Sequence, residues 1–360
     1  MHFALGVTKG PAGASAEGFP TGALVVAAYA AAARSARFGL ALSRELRAAL
    51  HRSRGDARAL AQRVAFASVL HALVRAEELR LRAATGRAWG RAAAPWSRKP
   101  TEHERQVAAS LSADVWRHLC GALDLYVRKV CREAGPHLAA AFVEAPADQG
   151  PPAGRSAAQH AVLKRLTDAA DALAGAGAPP AVVAHAMGRI LAFVDAQLFN
   201  TLLERWELCN PNNGVQIKLA LSLLDEWLDA SAARCEMLCA RRAASAPGAP
   251  GPEEHGSGGS SSGPPRSTSA PRGLALPSAS AAAGVHGDHG TDAHADWACA
   301  GATLAHVRQA ADVLIVSQAA RSSTADVEEI CPALRREHVA RLREWCARRG
   351  SCGPLCSARR

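Results

Sequence analysis

Histidine is the first residue type in this chain whose spacing could support chemistry. His286, His289 and His294 have the loose spacing of a metal-binding tract. They stand in low-complexity sequence, and no cysteine follows at a fixed offset. We therefore interpret them as part of a solvated segment and not as metal ligands.

Cysteine is the second such residue type. Cys235 and Cys239 are one helical step of four residues apart, and together with Cys352 and Cys356 they could form a zinc site. Small, half-buried side chains on helix faces are the simpler interpretation. The chain is long and does not begin like a signal peptide, so reduced cysteines of a cytosolic protein are expected.

A nucleophile and a base could be sought in Cys209 and His185, but no third group orients them and no sharp turn exposes the cysteine. The glycines at 256–263 follow no strand and precede no lysine, so they do not form a phosphate loop. The sequence thus predicts no catalytic, cofactor-binding or metal-binding residue, and we expect a protein that is not an enzyme.

The elements that position these residues are expected to be helices. Alanine is abundant and aromatic residues make up only 4% of the chain. The net charge is +10, and the arginines that carry most of it are spread along the chain, so nucleic-acid binding is not expected. Gly22–Ala33 is apolar but shorter than a membrane span requires.

The fold class predicted is all-α, an elongated multi-helix bundle with a long disordered insertion. Composition and periodicity divide the chain into five parts. These are a poorly ordered leader (1–37) in which 22–33 could form a short helix, the N-terminal part of the bundle (38–242), a disordered Gly/Ser/Pro-rich linker (243–296), the C-terminal part of the bundle (297–349) and a basic tail (350–360).

The stretch from Asp195 to Leu228 predicts a helical hairpin with two apolar inner faces. The residues "NPNNG", Asn210 to Gly214, are predicted to form its turn, and Trp206 and Trp227 are predicted to be core. Further upstream, Gly135 and Pro136 are predicted to end a helix that begins at Ser110.

Four blocks carry a resemblance to a known family. They are "FVDAQLFNTLLERWELCNPNNGVQIKLALSLLDEW", "AHVRQAADVLIVSQ", "ADVEEICPALRREHVARL" and "LSADVWRHLCGALDLYVRKVCREAGPHLAAAFVEAP". In order and spacing they resemble the dilute domain, the globular cargo-binding tail of class V and plant-type class XI myosins. The matching positions, expected to be mostly structural, are Leu198, Phe199, Asn200, Leu202, Leu203, Gly214, Leu224, Trp227, His306, Arg308, Gln309, Gln318, Cys331, Pro332 and Leu334.

The resemblance implies a non-enzymatic domain whose surface grooves receive cargo adaptors and vesicle-bound small GTPases for actin-based transport. It implies protein partners, contact with membranes only through cargo, and a place in the cytoplasm on vesicles or the actin cytoskeleton. It implies no cofactor and does not identify the partner-binding residues. Two alternatives stay open: a stand-alone scaffold without a motor, and a basic module that binds membrane or RNA.

Overall fold

The described part of the chain consists of helices and their connections. A computed structural model describes residues 36–83, 100–144, 157–244, 297, 302–319 and 331–351, and no strand occurs in these ranges. The predicted all-α class is confirmed. The eight long helices are α1 (Ala36–Ser53), α2 (Ala57–Ala83), α3 (Glu102–Phe142), α4 (Ala157–Ala176), α5 (Pro180–Glu204), α6 (Pro211–Ala244), α7 (Ala305–Ala319) and α8 (Arg336–Ser351), with a 3₁₀ turn at Trp206–Leu208.

Several predicted segments lie outside the described residues. They include the possible short helix at 22–33, the three histidines of 286–294, and Cys352 and Cys356. The predicted linker 243–296 also lies outside them, apart from its first two residues, which end α6.

The described residues group into two compact units. The larger unit takes those of Ser43–Ala72, Ala113–Pro252 and Asp288–Arg360, and the smaller takes the rest. In the smaller unit Glu78 is buried and pairs with Arg75 at 2.7 Å and Arg82 at 2.6 Å. Burial alone raises the pKa of Glu78, but hydrogen bonds from Arg75 and Ser112 and the two arginine charges outweigh it, so its pKa is lowered.

The prediction that Gly135 and Pro136 end a helix is wrong, because α3 runs through both to Phe142. Proline inside a helix costs about 3 kcal/mol, so other contacts must offset it. Leu138 and Phe142 beyond it are buried in the core. A Cβ on Gly135 would lie 3.5 Å from the ring of Phe193 on α5, an ordinary van der Waals contact, so α3 packs on α5 at this point. Tertiary packing therefore overrides the local stop signal.

The end of α4 lies within the "AGAGAPP" stretch, residues 174–180. Gly177 has φ of 90°, a left-handed value that favours glycine. The N–H of Ala178 donates to Leu173 O at 3.0 Å and that of Gly177 to Ala174 O at 2.9 Å, which caps the last turn. Pro180 then starts α5.

The core of the larger unit holds the apolar faces of all its helices. Tyr126 of α3 is fully buried, and its hydroxyl donates to Ala169 O of α4 at 2.7 Å. Trp227 of α6 is partly buried and donates from Nε1 to Thr167 Oγ1 of α4 at 2.8 Å. These two hydrogen bonds satisfy the polar ends of large side chains and fix α4 against its neighbours.

Candidate functional site

The hairpin of α5 and α6 is the centre of the larger unit. Ile217, Leu221, Leu224 and Leu228 of α6 are all buried, as the predicted stripe requires. Leu198, Phe199 and Leu202 of α5 face the same core. Apolar side chains at three- and four-residue steps lie on one side of a helix, which explains why both inner faces are apolar.

The turn of the hairpin lies at 205–210 and not at Asn210–Gly214, so that prediction is wrong. Pro211 starts α6, and Asn210 caps it by accepting the N–H of Asn213 at 2.9 Å. Asn213 in turn donates its side-chain amide to Leu208 O at 2.8 Å. The same residue types favour a turn and a helix start, and here the proline at the first helical position decides the outcome.

Gly214 therefore lies in the first turn of α6, where it meets α7. A Cβ placed on it would lie 3.0 Å from Ala311 O, 3.0 Å from Ile315 Cγ1 and 3.1 Å from Leu314 Cβ. No side chain fits that space without movement of α7. Gly214 thus sets how closely the two helices approach.

Asp195 of α5 is a carboxylate buried in the core, 4% exposed. Its Oδ1 accepts the N–H of Val307 at 2.9 Å, and its Oδ2 lies 2.7 Å from His306 Nδ1. Val307 stands in the first turn of α7, whose N–H groups have no partner within the helix. Asp195 is therefore the N-cap of α7, supplied from another helix.

Two ion pairs join α6 to α7 at the surface. Arg308 pairs with Asp225 and Lys218 pairs with Asp312, with all four side chains about a third to a half exposed. Exposed pairs of this kind contribute between about 0 and 1 kcal/mol each. They set the orientation of α7 more than they stabilise the fold.

The segment before α8 is held by α7. Gln309 accepts the N–H of Ala333 at 2.8 Å, and the thiol of Cys331 lies 3.7 Å from Gln309 O. Burial, the charge of Asp312 and the opposing charge of Lys218 together leave the pKa of Cys331 raised. A buried thiol of raised pKa is unreactive, so Cys331 acts as packing.

Phe199 connects α5 to α7 and α8. Its ring centroid lies 5.8 Å from that of His306 and 5.1 Å from that of His338, the second in an edge-on arrangement. Such aromatic pairs add about 0.5–1.5 kcal/mol to area burial. The ring thus contributes to the packing of three helices.

Most of the positions that match the dilute-domain blocks are buried or partly buried in and around the hairpin. Buried positions are Leu198, Phe199, Leu202, Gly214, Leu224, Cys331 and Leu334. Partly buried ones are Leu203, Trp227, Arg308 and Gln309. Asn200, His306 and Pro332 are exposed, and the side chain of Gln318 lies outside the described set.

Cys209 and His185, the candidate nucleophile and base, lie far apart. Cys209 is buried beyond the end of α5, and its thiol donates to Leu202 O at 3.4 Å. His185 is exposed near the start of α5, about 30 Å away along a helix of 1.5 Å per residue. Among the described residues no three His, Cys, Asp or Glu side chains are grouped to hold a metal ion.

Length and composition alone would allow α5 to cross a membrane, and it is the one such helix in the described ranges. Its apolar window is 56% buried inside the protein. A buried core helix passes the same test, so the apolar character of α5 is explained by the core it forms.

Asp195 was not among the predicted functional residues, and the predicted position of Trp206 in the core is wrong. An acid at position 195, between Leu191 and Leu198 on the apolar stripe of α5, is a signal that could have identified a buried polar role. Trp206 was predicted to be core, but it is 48% exposed in the 3₁₀ turn. Three more large apolar side chains, Val215 (45%), Leu219 (54%) and Met237 (47%), are exposed on α6.

Comparison with known proteins finds a family model that matches the hairpin. Residues 185–245 match the DIL domain family. Over 81 residues the chain is 36% identical to Myosin-11 and likewise to Myosin-9 of Arabidopsis thaliana, covering 21% of this chain and 5% of each myosin. Myosin-14 of the same plant is 41% identical over 49 residues, 14% of this chain and 3% of the myosin. The chain thus spans 5% or less of the length of these relatives, and the sequence resemblance to the dilute domain is confirmed.

Solved structures also align with the chain. Myo2-GTD in complex with Mmr1 aligns with a TM-score of 0.43 and 13% identity, over 79% of this chain and 53% of that chain. Myo2-GTD in complex with Smy1 aligns with a TM-score of 0.43 and 13% identity, over 78% and 55%. Alignments at this level do not bear on function.

Proposed function

We propose that this chain, which carries a dilute domain in its α5–α6 hairpin, is a non-enzymatic module that binds proteins for actin-based transport. Its partners in this proposal are cargo adaptors or vesicle-bound small GTPases. The dilute-domain match over residues 185–245 and the identity with plant myosins support it. The proposal places the protein in the cytoplasm, on vesicles or the actin cytoskeleton.

The observation that carries the proposal is a set of exposed apolar side chains within the matched segment. Trp206, Val215 and Leu219 are each about half exposed, although the apolar inner faces of the hairpin are buried. Val215 and Leu219 are four residues apart and therefore neighbours on one side of α6. Aromatic and aliphatic side chains of this kind are the residues that anchor protein interfaces.

The polar side chains of the hairpin favour binding over catalysis. Asp195 caps α7, Asp225 pairs with Arg308, and Lys218 pairs with Asp312. Each of these charged groups is thereby engaged in holding the framework. The exposed apolar side chains of the hairpin have no such role, and they suit contact with another protein.

The test is a pull-down with the full chain, using purified adaptors and small GTPases loaded with GTP or GDP. The double variant Val215→Ser/Leu219→Ser should lose the partners that the unchanged chain retains. The control is Val69→Ser, since Val69 is 48% exposed but lies outside the matched segment. Both variants should keep their melting temperature, because the substituted side chains contribute little to the core.

Two results would count against the proposal. Equal retention of every partner by the double variant would show that this surface binds nothing. Recovery of RNA and ribosomal proteins alone would favour the basic surface module. Co-purification of a motor head would favour a myosin tail over a stand-alone scaffold.

A further inference from the structure

Arginine is spread along the chain but is denser in the first helices of the larger unit. Residues 43–72 contain six arginines, no lysine and two carboxylates, so this short stretch carries +4 of the chain's net +10. The six, called the arginine surface below, are Arg44, Arg47, Arg52, Arg54, Arg58 and Arg63.

The arginine surface has no carboxylate partners of its own. Within the part of the chain that the structure describes, none of the six forms an ion pair. Elsewhere ion pairs are common, and they engage Arg75, Arg80, Arg82, Arg105, Arg117, Arg128, Arg189, Arg205, Arg234, Arg308 and Arg348. The two local carboxylates do not compensate: Asp56 caps α2 by accepting the N–H of Arg58 at 2.9 Å, and Glu45 is exposed.

The arrangement presents these side chains to solvent. Arg44 and Arg47 are exposed one helical step apart on α1, while Arg52, Arg54 and Arg58 are exposed around the connection to α2. Arg63 is half-buried and donates from Nε to Ser53 Oγ at 3.4 Å. Charges thus follow the outside of α1 and the start of α2.

Burial lowers the pKa of both innermost groups, and neighbouring arginine charges add to that shift. Burial, and then the charge of Arg52, lower the pKa of Arg63. Burial, and then the charge of Arg63, lower the pKa of His118 on α3. No carboxylate offsets either shift, so the local potential is positive and favours an anionic ligand.

We propose that the arginine surface binds an acidic segment of a partner protein. The guanidinium group forms bidentate pairs with carboxylates, and arginine is favoured over lysine where such pairs form. The inference rests on the proposed protein-binding function and names the chemistry of one partner. It assigns a second contact surface, separate from the exposed apolar residues of α6.

One feature favours an acidic protein over nucleic acid. Residues 43–63 contain no Phe, Trp or Tyr on which a nucleic-acid base could stack. Carboxylates of another protein need no such stacking platform. A membrane surface is compared directly in the test below, because Leu40 of α1 and Val69 of α2 are exposed apolar residues near the arginines.

The test measures binding of a fluorescent, glutamate-rich peptide to the full chain by anisotropy. The variant Arg44→Gln/Arg54→Gln/Arg58→Gln should weaken binding by about tenfold, the sum of three modest charge contacts. The control Arg80→Gln/Arg128→Gln/Arg348→Gln removes the same charge from arginines that already have carboxylate partners. It should change affinity by less than about twofold.

Equal weakening by both triple variants would overturn the proposal, because only net charge would then matter. Tighter binding of an RNA oligonucleotide or of phosphatidylserine vesicles than of the peptide, at the same salt concentration, would also overturn it. If the first triple variant loses the peptide but the chain retains no adaptor or GTPase, the proposed transport function fails and this inference stands. If the chain retains adaptors or GTPases but the first triple variant binds the peptide as tightly as the unchanged chain, the transport function stands and this inference fails.

Discussion

The carboxylate of Asp195 accepts the backbone N–H of Val307 at 2.9 Å, across 112 positions of sequence. The acid is buried on α5, and the N–H belongs to the first turn of α7, so one side chain supplies the cap of a helix far along the chain. The same carboxylate meets His306 at 2.7 Å. The attachment of α7 therefore depends on one residue that no local pattern connects to it.

Asp195→Ala should lower the free energy of unfolding by about 2–3 kcal/mol, because a charged hydrogen bond and a helix cap are lost together. Urea denaturation followed by circular dichroism measures this change. Asp229→Ala is the control, since Asp229 is an exposed acid on α6. It should change stability by less than about 0.5 kcal/mol, and equal effects would show that Asp195 is not a cap.

Gly214→Ala should destabilise the protein by about 1–3 kcal/mol, because its Cβ would lie 3.0 Å from backbone and side-chain atoms of α7. Gly175→Ala provides the comparison, since Gly175 is also helical and its Cβ would meet nothing within 4 Å. That change should be neutral or stabilise by up to about 1 kcal/mol. Thermal melts of both variants decide whether the close approach is real.

His118→Leu should make stability less dependent on pH. His118 is 7% exposed, and neither ring nitrogen has a hydrogen-bond partner among the described residues. Since burial and Arg63 lower its pKa, the unfolded chain binds more protons below about pH 6.5, and stability falls as the pH drops through this value.

In the His118→Leu variant the free energy of unfolding should fall less as the pH drops. At neutral pH it should be higher by about 1 kcal/mol, because an unpaired polar group is removed from the core. Urea titrations at several pH values test both expectations. His160→Leu, at an exposed position of α4, should leave the pH profile unchanged. A steeper profile in the His118 variant would contradict the assignment.

Trp206→Ala and Trp227→Ala should differ sharply in their effect on folding. Trp206 is half exposed, so its loss should change the free energy of unfolding by less than about 1 kcal/mol. Trp227 packs on the core and donates to Thr167, so its loss should cost about 3 kcal/mol or more. If Trp206→Ala proved the more damaging change, Trp206 would be a core residue after all.

Limited proteolysis should cut first within residues 243–296, whose Gly, Ser and Pro content predicts poor order. The two large products should stay associated in gel filtration, because α7 contacts α6 at Gly214 and is capped by Asp195. Separation of the products without denaturant would show that the contacts of α7 are too weak to hold it.

Periodicity predicted the helices well where burial follows the 3.6-residue repeat. Ile217, Leu221, Leu224 and Leu228 share a stripe in the sequence and are all buried in the fold. The corrections at Gly135–Pro136 and Asn210–Gly214 have different causes. Burial of Leu138 and Phe142 favours the continuation of α3 through its glycine and proline, and Pro211 at the first helical position makes the second stretch a helix start.

The candidate site was less predictable than the fold. The exposure of Trp206, Val215 and Leu219 depends on which sides of the hairpin the other helices cover. An apolar residue that faces solvent and one that faces the core look alike in a sequence. Similarly, the lack of ion pairs on the arginine surface could be seen only once the partners of the other arginines were known.

The distant cap has a consequence for synthesis of the protein. The residues between the end of α6 and the end of α7 number about 75, which a ribosome adds in roughly 4–15 s. Throughout that interval the surface of the nascent hairpin beside Gly214 is not covered by α7. The carboxylate of Asp195 lacks its hydrogen bond to Val307. A chaperone that binds apolar helix faces would bind the hairpin at this surface, and packing of α7 against the hairpin would displace the chaperone.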